Sequence, residues 1–109
     1  IGLKPKPRGE KPKINYSISG EKFCSLYKVN DWNNVRVKCV GKHPKIETWI
    51  NGIKVCEFDA ANYTGSGFDR EKISQTLGAK GSIAVQVHGG GGWPKGAKCR
   101  WRNIRIKEL

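Results

Sequence analysis

An all-β fold with one short surface helix is what this sequence predicts, and three stretches carry that prediction. Residues 82–88 place Ile83, Val85 and Val87 on one side and Ala84, Gln86 and His88 on the other, because successive strand side chains point to opposite faces. The run VRVKCV alternates in the same way, setting Val35, Val37 and Cys39 against Arg36 and Lys38. Asn51-Gly52, between two β-rich runs, is the pair that a two-residue type I′ hairpin favours.

Taken in order, residues 1–13 hold three prolines, two glycines, five basic residues and one acid. Proline removes backbone donors and glycine adds chain entropy, so this is an extended basic arm, a linker or an anchor for an acidic partner. A strand begins near residues 15–18. The arm is drawn to residue 18 and the folded domain over 19–109. Residues 21–29, EKFCSLYKV, are read as a strand, although Phe23, Leu26, Tyr27 and Val29 do not alternate cleanly. The VRVKCV strand that follows is expected to be half-buried, and residues 41–44 form a turn in which His43, beside Pro44, is given no role.

In the hairpin over 45–58, the two-residue turn sets Ile50 opposite Ile53 and Thr48 opposite Val55 on one face. Trp49 then faces Lys54, and Glu47 faces Cys56, on the other. Residues 59–67 read as a loop. FDREKISQTL, residues 68–77, is the one expected helix, with Phe68, Ile73 and Leu77 as its apolar stripe, Ser66 and Asp69 as a capping box, and Gly78 as its stop. After the 82–88 strand come four glycines, Gly89 to Gly92, and a closing strand over 99–106 with one wet side.

A chain of 109 residues supports one domain with a modest core. The charge balance is its loudest compositional feature: 21 Lys and Arg against nine Asp and Glu give +12. Such a surface attracts polyanions and anionic lipid. No arginine-rich helix, zinc-finger spacing or aromatic RNA-binding signature accompanies it, so nucleic acid is disfavoured and a solubilising basic surface is the simpler reading. No apolar run approaches the roughly 18 residues that span a bilayer. The chain begins at Ile1 and contains no Met, the pattern of a processed product or a fragment. Cys24, Cys39, Cys56 and Cys99 form no C-x-x-C pair, which argues against zinc; three disulfide pairings, or small buried thiols, stay open. The glycine run lacks the following Lys-Ser/Thr of a phosphate cradle. It is read as a mobile rim bringing Trp93 over a groove, or as an entropic tether.

The runs DWNNVRVKCVG, IETWINGIKVCEFD, GSIAVQVHGG and CRWRNIRIKEL, in that order, resemble the 3-keto-disaccharide hydrolase domain family. The matching positions are Trp32-Asn33 before a strand, Trp49-x-Asn51-Gly52 in a hairpin, Gly81-x-Ile83-x-x-Gln86-x-His88-Gly89 in a strand, and Arg102-Asn103-Ile104 in the closing strand. Trp101 stands where Phe is more usual, and the glycine loop is longer than in many relatives. The resemblance covers residues 31–109. It implies a concanavalin-like antiparallel β-sandwich (jelly roll), of which this chain is the C-terminal portion. An upstream segment or another chain is then expected to complete the second sheet, since half a sandwich leaves a sheet face and strand edges open.

The resemblance also implies a reaction. A ketone at C3 of a sugar acidifies the neighbouring hydrogen, so the glycosidic bond is cleaved by base-assisted elimination followed by hydration. That chemistry needs a base near C2, an electrophile for the enolate and an apolar platform for the ring. His88 is the candidate base, or a ligand for a divalent metal ion. Gln86 shares its face and orients a hydroxyl, and Glu47 is the hairpin's spare carboxylate. Trp49 and Trp93 supply stacking surfaces, Arg100 or Arg102 meets the enolate, and Asn103 is a further polar contact to substrate. The bland readings are packing for Trp49, a lysine's cross-strand partner for Glu47 and a hydrogen-bonded strand-end residue for His88. The expected partner is carbohydrate and the expected location extracellular or periplasmic. A non-catalytic sugar-binding module is the alternative, and a basic adhesion or polyanion-binding protein the third reading.

Overall fold

The computed structural model describes residues 14–65, 67–87 and 92–109. The chain divides into two compact units, Ile1–Ala79 and Lys80–Leu109. The expected arm over 1–13, Ser66 of the expected capping box, His88 and Gly89 to Gly91 lie outside the described residues.

The first unit is built on a four-stranded antiparallel sheet of β1 (Tyr16–Ser17), β2 (Val35–Val40), β3 (Lys45–Ile50) and β4 (Ile53–Asp59), in the order β1-β4-β3-β2. The expected strand near residues 15–18 is β1. The fold is thus mostly β, as the alternating runs required, with two short helices rather than one.

The additional helix, α1 (Gly20–Leu26), corrects the strand expected over 21–29. Ser19 caps it, its hydroxyl accepting from the Lys22 amide at 3.1 Å, and Glu21 sits in the first turn where the helix dipole favours an anion. The spacing that failed to alternate is helical: Phe23 and Tyr27, four apart, stack with ring centroids 5.7 Å apart. The second helix, α2 (Arg70–Leu77), starts two residues after the expected Phe68. Its cap is Asp69, whose carboxylate accepts from the Lys72 amide at 2.9 Å, so Asp69 is the cap itself and not the distal partner of Ser66. Gly78 ends it at φ 69°, as expected.

The β3–β4 turn is as read, with Asn51 at φ 50° and Gly52 at φ 84°. Ile50 opposite Ile53 and Trp49 opposite Lys54 hold, but a bulge between Thr48 and Trp49 then leaves Val55 unpaired. Thr48 therefore faces Cys56, and Glu47 faces Glu57, in place of the expected Val55 and Cys56. One extra residue on one strand shifts every later pair by one and turns its side chains over. Val55 and Ala60 are the buried hydrophobic residues among those described. Phe58, Tyr63 and Phe68 form an edge-to-face cluster with centroids 4.8–6.0 Å apart, which holds the 60–69 loop on β4. A Cβ at Gly65 would collide with the Tyr63 ring of this cluster.

Two expectations of burial fail. All six residues of β2, at the sheet edge, are exposed, including Val35 and Val37, so β2 is not half-buried. In the second unit, no strand forms among the described residues of 82–88 or over 99–106, and Ile83, Val85 and Val87 are exposed rather than core. Alternation says which residues share a side, but a strand also needs a neighbour to close its ladder, which local pattern does not supply. The cysteines are not small buried thiols: Cys24, Cys39 and Cys99 are exposed, Cys56 is half-buried, and all four are free. Cys39 and Cys56 have β3 between them, about 10 Å at the usual strand spacing. That exceeds the roughly 7 Å limit for a disulfide, so the register removes the pairing scheme that joins them.

An asparagine pair joins helix, edge strand and turn. Asn51 Nδ2 donates to the Leu26 carbonyl at the end of α1 (2.8 Å) and to Asn33 Oδ1 (2.9 Å). The Asn34 amide donates to Asn51 Oδ1 (3.0 Å), and the Asn51 amide to the Asn34 carbonyl (2.8 Å). Asn33 in turn bonds both the amide and the carbonyl of Lys28 at 2.8 Å. At these partly exposed positions each bond contributes about 1 kcal/mol. Asn51→Gly, which keeps the turn's positive φ and deletes three side-chain bonds, is expected to lower stability in urea titrations by about 3 kcal/mol. Asn33→Ala is expected to cost a similar amount, and the double variant less than the sum, because either single change already breaks the Asn33–Asn51 bond.

Candidate functional site

Register and alternation put Arg36 and Lys38 of β2, Lys45, Glu47 and Trp49 of β3, and Lys54, Glu57 and Asp59 of β4 on one face of the sheet, with Tyr16 of β1 beside Glu57. The bulge at Val55 is what brings Glu57 onto this face, directly opposite Glu47. Like charges opposed across strands repel, and two lysines answer that repulsion. Lys54 Nζ reaches Glu47 Oε1 at 2.7 Å and also pairs with Glu57, while Lys45 Nζ lies 2.9 Å from the other Glu57 oxygen.

Both carboxylates are mostly covered, at 18% and 17% side-chain exposure, so their ion pairs are less screened than surface pairs. The Lys54 hydrogen bond is the main cause that lowers the pKa of Glu47, and the bonds from Lys54 and Lys45 lower that of Glu57. The same contacts raise Lys54 and Lys45. Glu47 is therefore an ionised acceptor and a weak base, and it is a lysine's partner across the hairpin. Trp49 is half-buried, and the Arg36 guanidinium lies 3.9 Å from its ring centroid. Lys54 Nζ also stands 6.0 Å from the Tyr16 ring centroid.

Of the residues expected to form a site, Glu47 and Trp49 come together on this face. Gln86, Trp93, Arg100, Arg102 and Asn103 belong to the second unit, where all are exposed, and His88 lies outside the described residues. Arg36, Lys45, Glu57 and Tyr16 were not among the expected site residues, and Lys54 was expected only as the residue opposite Trp49. The pairing of Arg36 and Lys54 with Trp49 was within reach of the strand pattern, whereas Glu57 depends on a bulge that leaves no local mark. His43, given no role in its turn, has one: with Lys42 it grips Glu71 of α2, Nε2 to Oε1 at 2.9 Å and Lys42 Nζ to Oε2 at 2.8 Å. Among the described residues no group of three or more His, Cys, Asp or Glu is placed to hold a metal ion. No helix among them is long and apolar enough to cross a membrane.

The model of the 3-keto-alpha-glucoside-1,2-lyase-like domain matches residues 15–107. The chain belongs to this family. The match starts sixteen residues before Asp31, so it takes in β1, which pairs with β4 beside the charged face, and α1, which carries one end of the asparagine network. No curated protein and no solved structure matches the chain. Membership gives this member a carbohydrate-related, 3-keto-glycoside domain.

The charge pairs set a pH dependence with a definite sign. The folded pKa values of Glu47 and Glu57 lie below 4.5, so their stabilisation is complete above that value and is lost as pH falls through the lowered values. Those of Lys45 and Lys54 lie above 10.5, so theirs is lost as pH rises beyond 10.5. Lys54→Met is expected to raise both glutamate pKa values in carbon-detected NMR titration. The Tm difference from the wild type should be largest near neutral pH and shrink in acid.

Proposed function

We propose that this domain acts on 3-keto-glycosides, cleaving the bond to the aglycone by elimination across C1 and C2. The observation that carries the reading is the family match over 15–107, which spans every motif residue from Asn33 to Asn103. In this reading His88 removes the C2 proton, the electron pair forms the C1–C2 double bond, and the aglycone oxygen leaves from C1 and takes a proton. Water then adds to the enone and releases the 3-keto sugar. A positioned base of this kind contributes about 10²–10⁴-fold. Gln86 orients a sugar hydroxyl, and Arg100, Arg102 and Asn103 meet the oxygens of the substrate, with Trp93 at the rim.

Taken by itself, the β2–β3–β4 face of the first unit has the groups of a sugar-binding surface. Trp49 offers an indole surface, and Arg36, 3.9 Å from its ring centroid, supplies a cation on the same face for a sugar oxygen. A non-catalytic sugar-binding module is the second reading, favoured by one observation: Glu47 and Glu57 are both neutralised by lysines, which leaves them as hydrogen-bond acceptors rather than bases.

Turnover of 3-keto-glucosides, followed by aglycone release, separates the two readings. The cleavage reading expects His88→Ala to lower kcat at least about 100-fold. Trp49→Ala should raise KM and leave kcat little changed, the mark of lost uniform binding. Undiminished turnover in His88→Ala would sink the proposed base. Saturable binding of the keto sugar without any turnover would establish the binding module instead.

A further inference from the structure

In the second unit, a turn closed by the Ala97 amide on the Pro94 carbonyl at 3.0 Å leads into residues 97–109, which neither turn nor bend. Asn103 alone among the non-glycine residues of this stretch has a positive φ, 54°. Asparagine tolerates that region better than most residues. In a chain that otherwise keeps its direction, one left-handed residue carries the following side chains over to the opposite side, as the extra residue of a bulge does.

The sequence changes phase at the same place. Before Asn103, Lys98, Arg100 and Arg102 alternate with Cys99 and Trp101; after it, Arg105 and Lys107 alternate with Ile104 and Ile106. Strict alternation would put the two isoleucines on the side of Arg100 and Arg102. The inversion at Asn103 instead gathers the five cations on one side and Cys99, Trp101, Ile104 and Ile106 on the other. All five cations are exposed, and the sequence from 72 to 107 contains no Asp or Glu. The strip extends over ten residues, 98–107.

We infer that this cationic strip binds an anionic polysaccharide of the polyuronate type, an inference that rests on the carbohydrate role of the domain. A row of cations at two-residue spacing matches a ligand carrying a carboxylate on successive sugars, and guanidinium groups meet carboxylates with paired hydrogen bonds. The strip gives a use to the +12 charge that a small neutral keto sugar does not need.

The test is titration calorimetry of the full chain with a polyuronate oligosaccharide, a neutral glucan of equal length and single-stranded DNA of equal charge, each at several salt concentrations. The triple variant Lys98→Gln, Arg105→Gln, Lys107→Gln, checked for unchanged far-UV circular dichroism, is run beside the wild type. The polyuronate is expected to bind with a steep salt dependence. At about 0.7 per neutralised charge on a flexible polyanion, the triple variant should flatten the log–log slope by about 2. Equal binding of the neutral glucan, tighter binding of DNA, or an unchanged slope in the variant would each overturn the proposal. Turnover of a small neutral 3-keto-glucoside is read in parallel and should be the same in the variant. Its absence from both proteins, with polyuronate binding intact, would overturn the cleavage reading and leave the strip standing.

Discussion

The constraint on which the first unit depends is the positive-φ turn at Asn51-Gly52 and the side-chain bonds that Asn51 makes from it. A left-handed pair is cheap for Asn and Gly and costly for most other residues, so the hairpin closes at this point in the chain. With the turn set, Asn51 reaches the last carbonyl of α1 and the side chain of Asn33, and Asn33 holds Lys28 at both its amide and its carbonyl. Three elements far apart in sequence thus meet at two amides. Two family-motif residues, Asn33 and Asn51, are thus tied into the scaffold. With Val55 and Ala60 as the buried hydrophobics described, such polar ties hold what a larger apolar core would otherwise hold.

The bulge in β4 is the second decision of the fold, and it works on charge. Without the extra residue Glu57 would leave the face that carries Glu47, and Lys54 and Lys45 would have one carboxylate to share between them. With it, two carboxylates and two lysines form a chain of ion pairs beside the Trp49–Arg36 stack. This arrangement keeps the glutamates ionised and makes them poor bases. The strengths of this face are a flat aromatic surface and fixed charges.

The family was more legible in the sequence than the fold was, for a physical reason. Motif residues such as Trp32-Asn33, Trp49-x-Asn51-Gly52 and Gln86-x-His88-Gly89 are read one by one, and they point to the family that the match over 15–107 bears out. Packing is not read that way. Phe23 and Tyr27, four apart, do not alternate as strand residues should, and the cap at Ser19 makes the stretch a helix. His43 looked idle because its partner, Glu71, lies 28 residues away.

What the sequence by itself determined is local: the turn at Asn51-Gly52, the strands at 35–40, 45–50 and 53–58, the stop of α2 at Gly78 and the family of the chain. These follow from backbone preferences and side-chain periods that act within a few residues. The tertiary structure alone decided that Glu57 faces Glu47, that Cys39 and Cys56 stand a strand apart, that Asn33 and Asn51 share a bond, and that β2 lies exposed at the edge. Each of those outcomes turns on which strand lies beside which and in what register, and register is a property of pairs of segments, absent from either one alone.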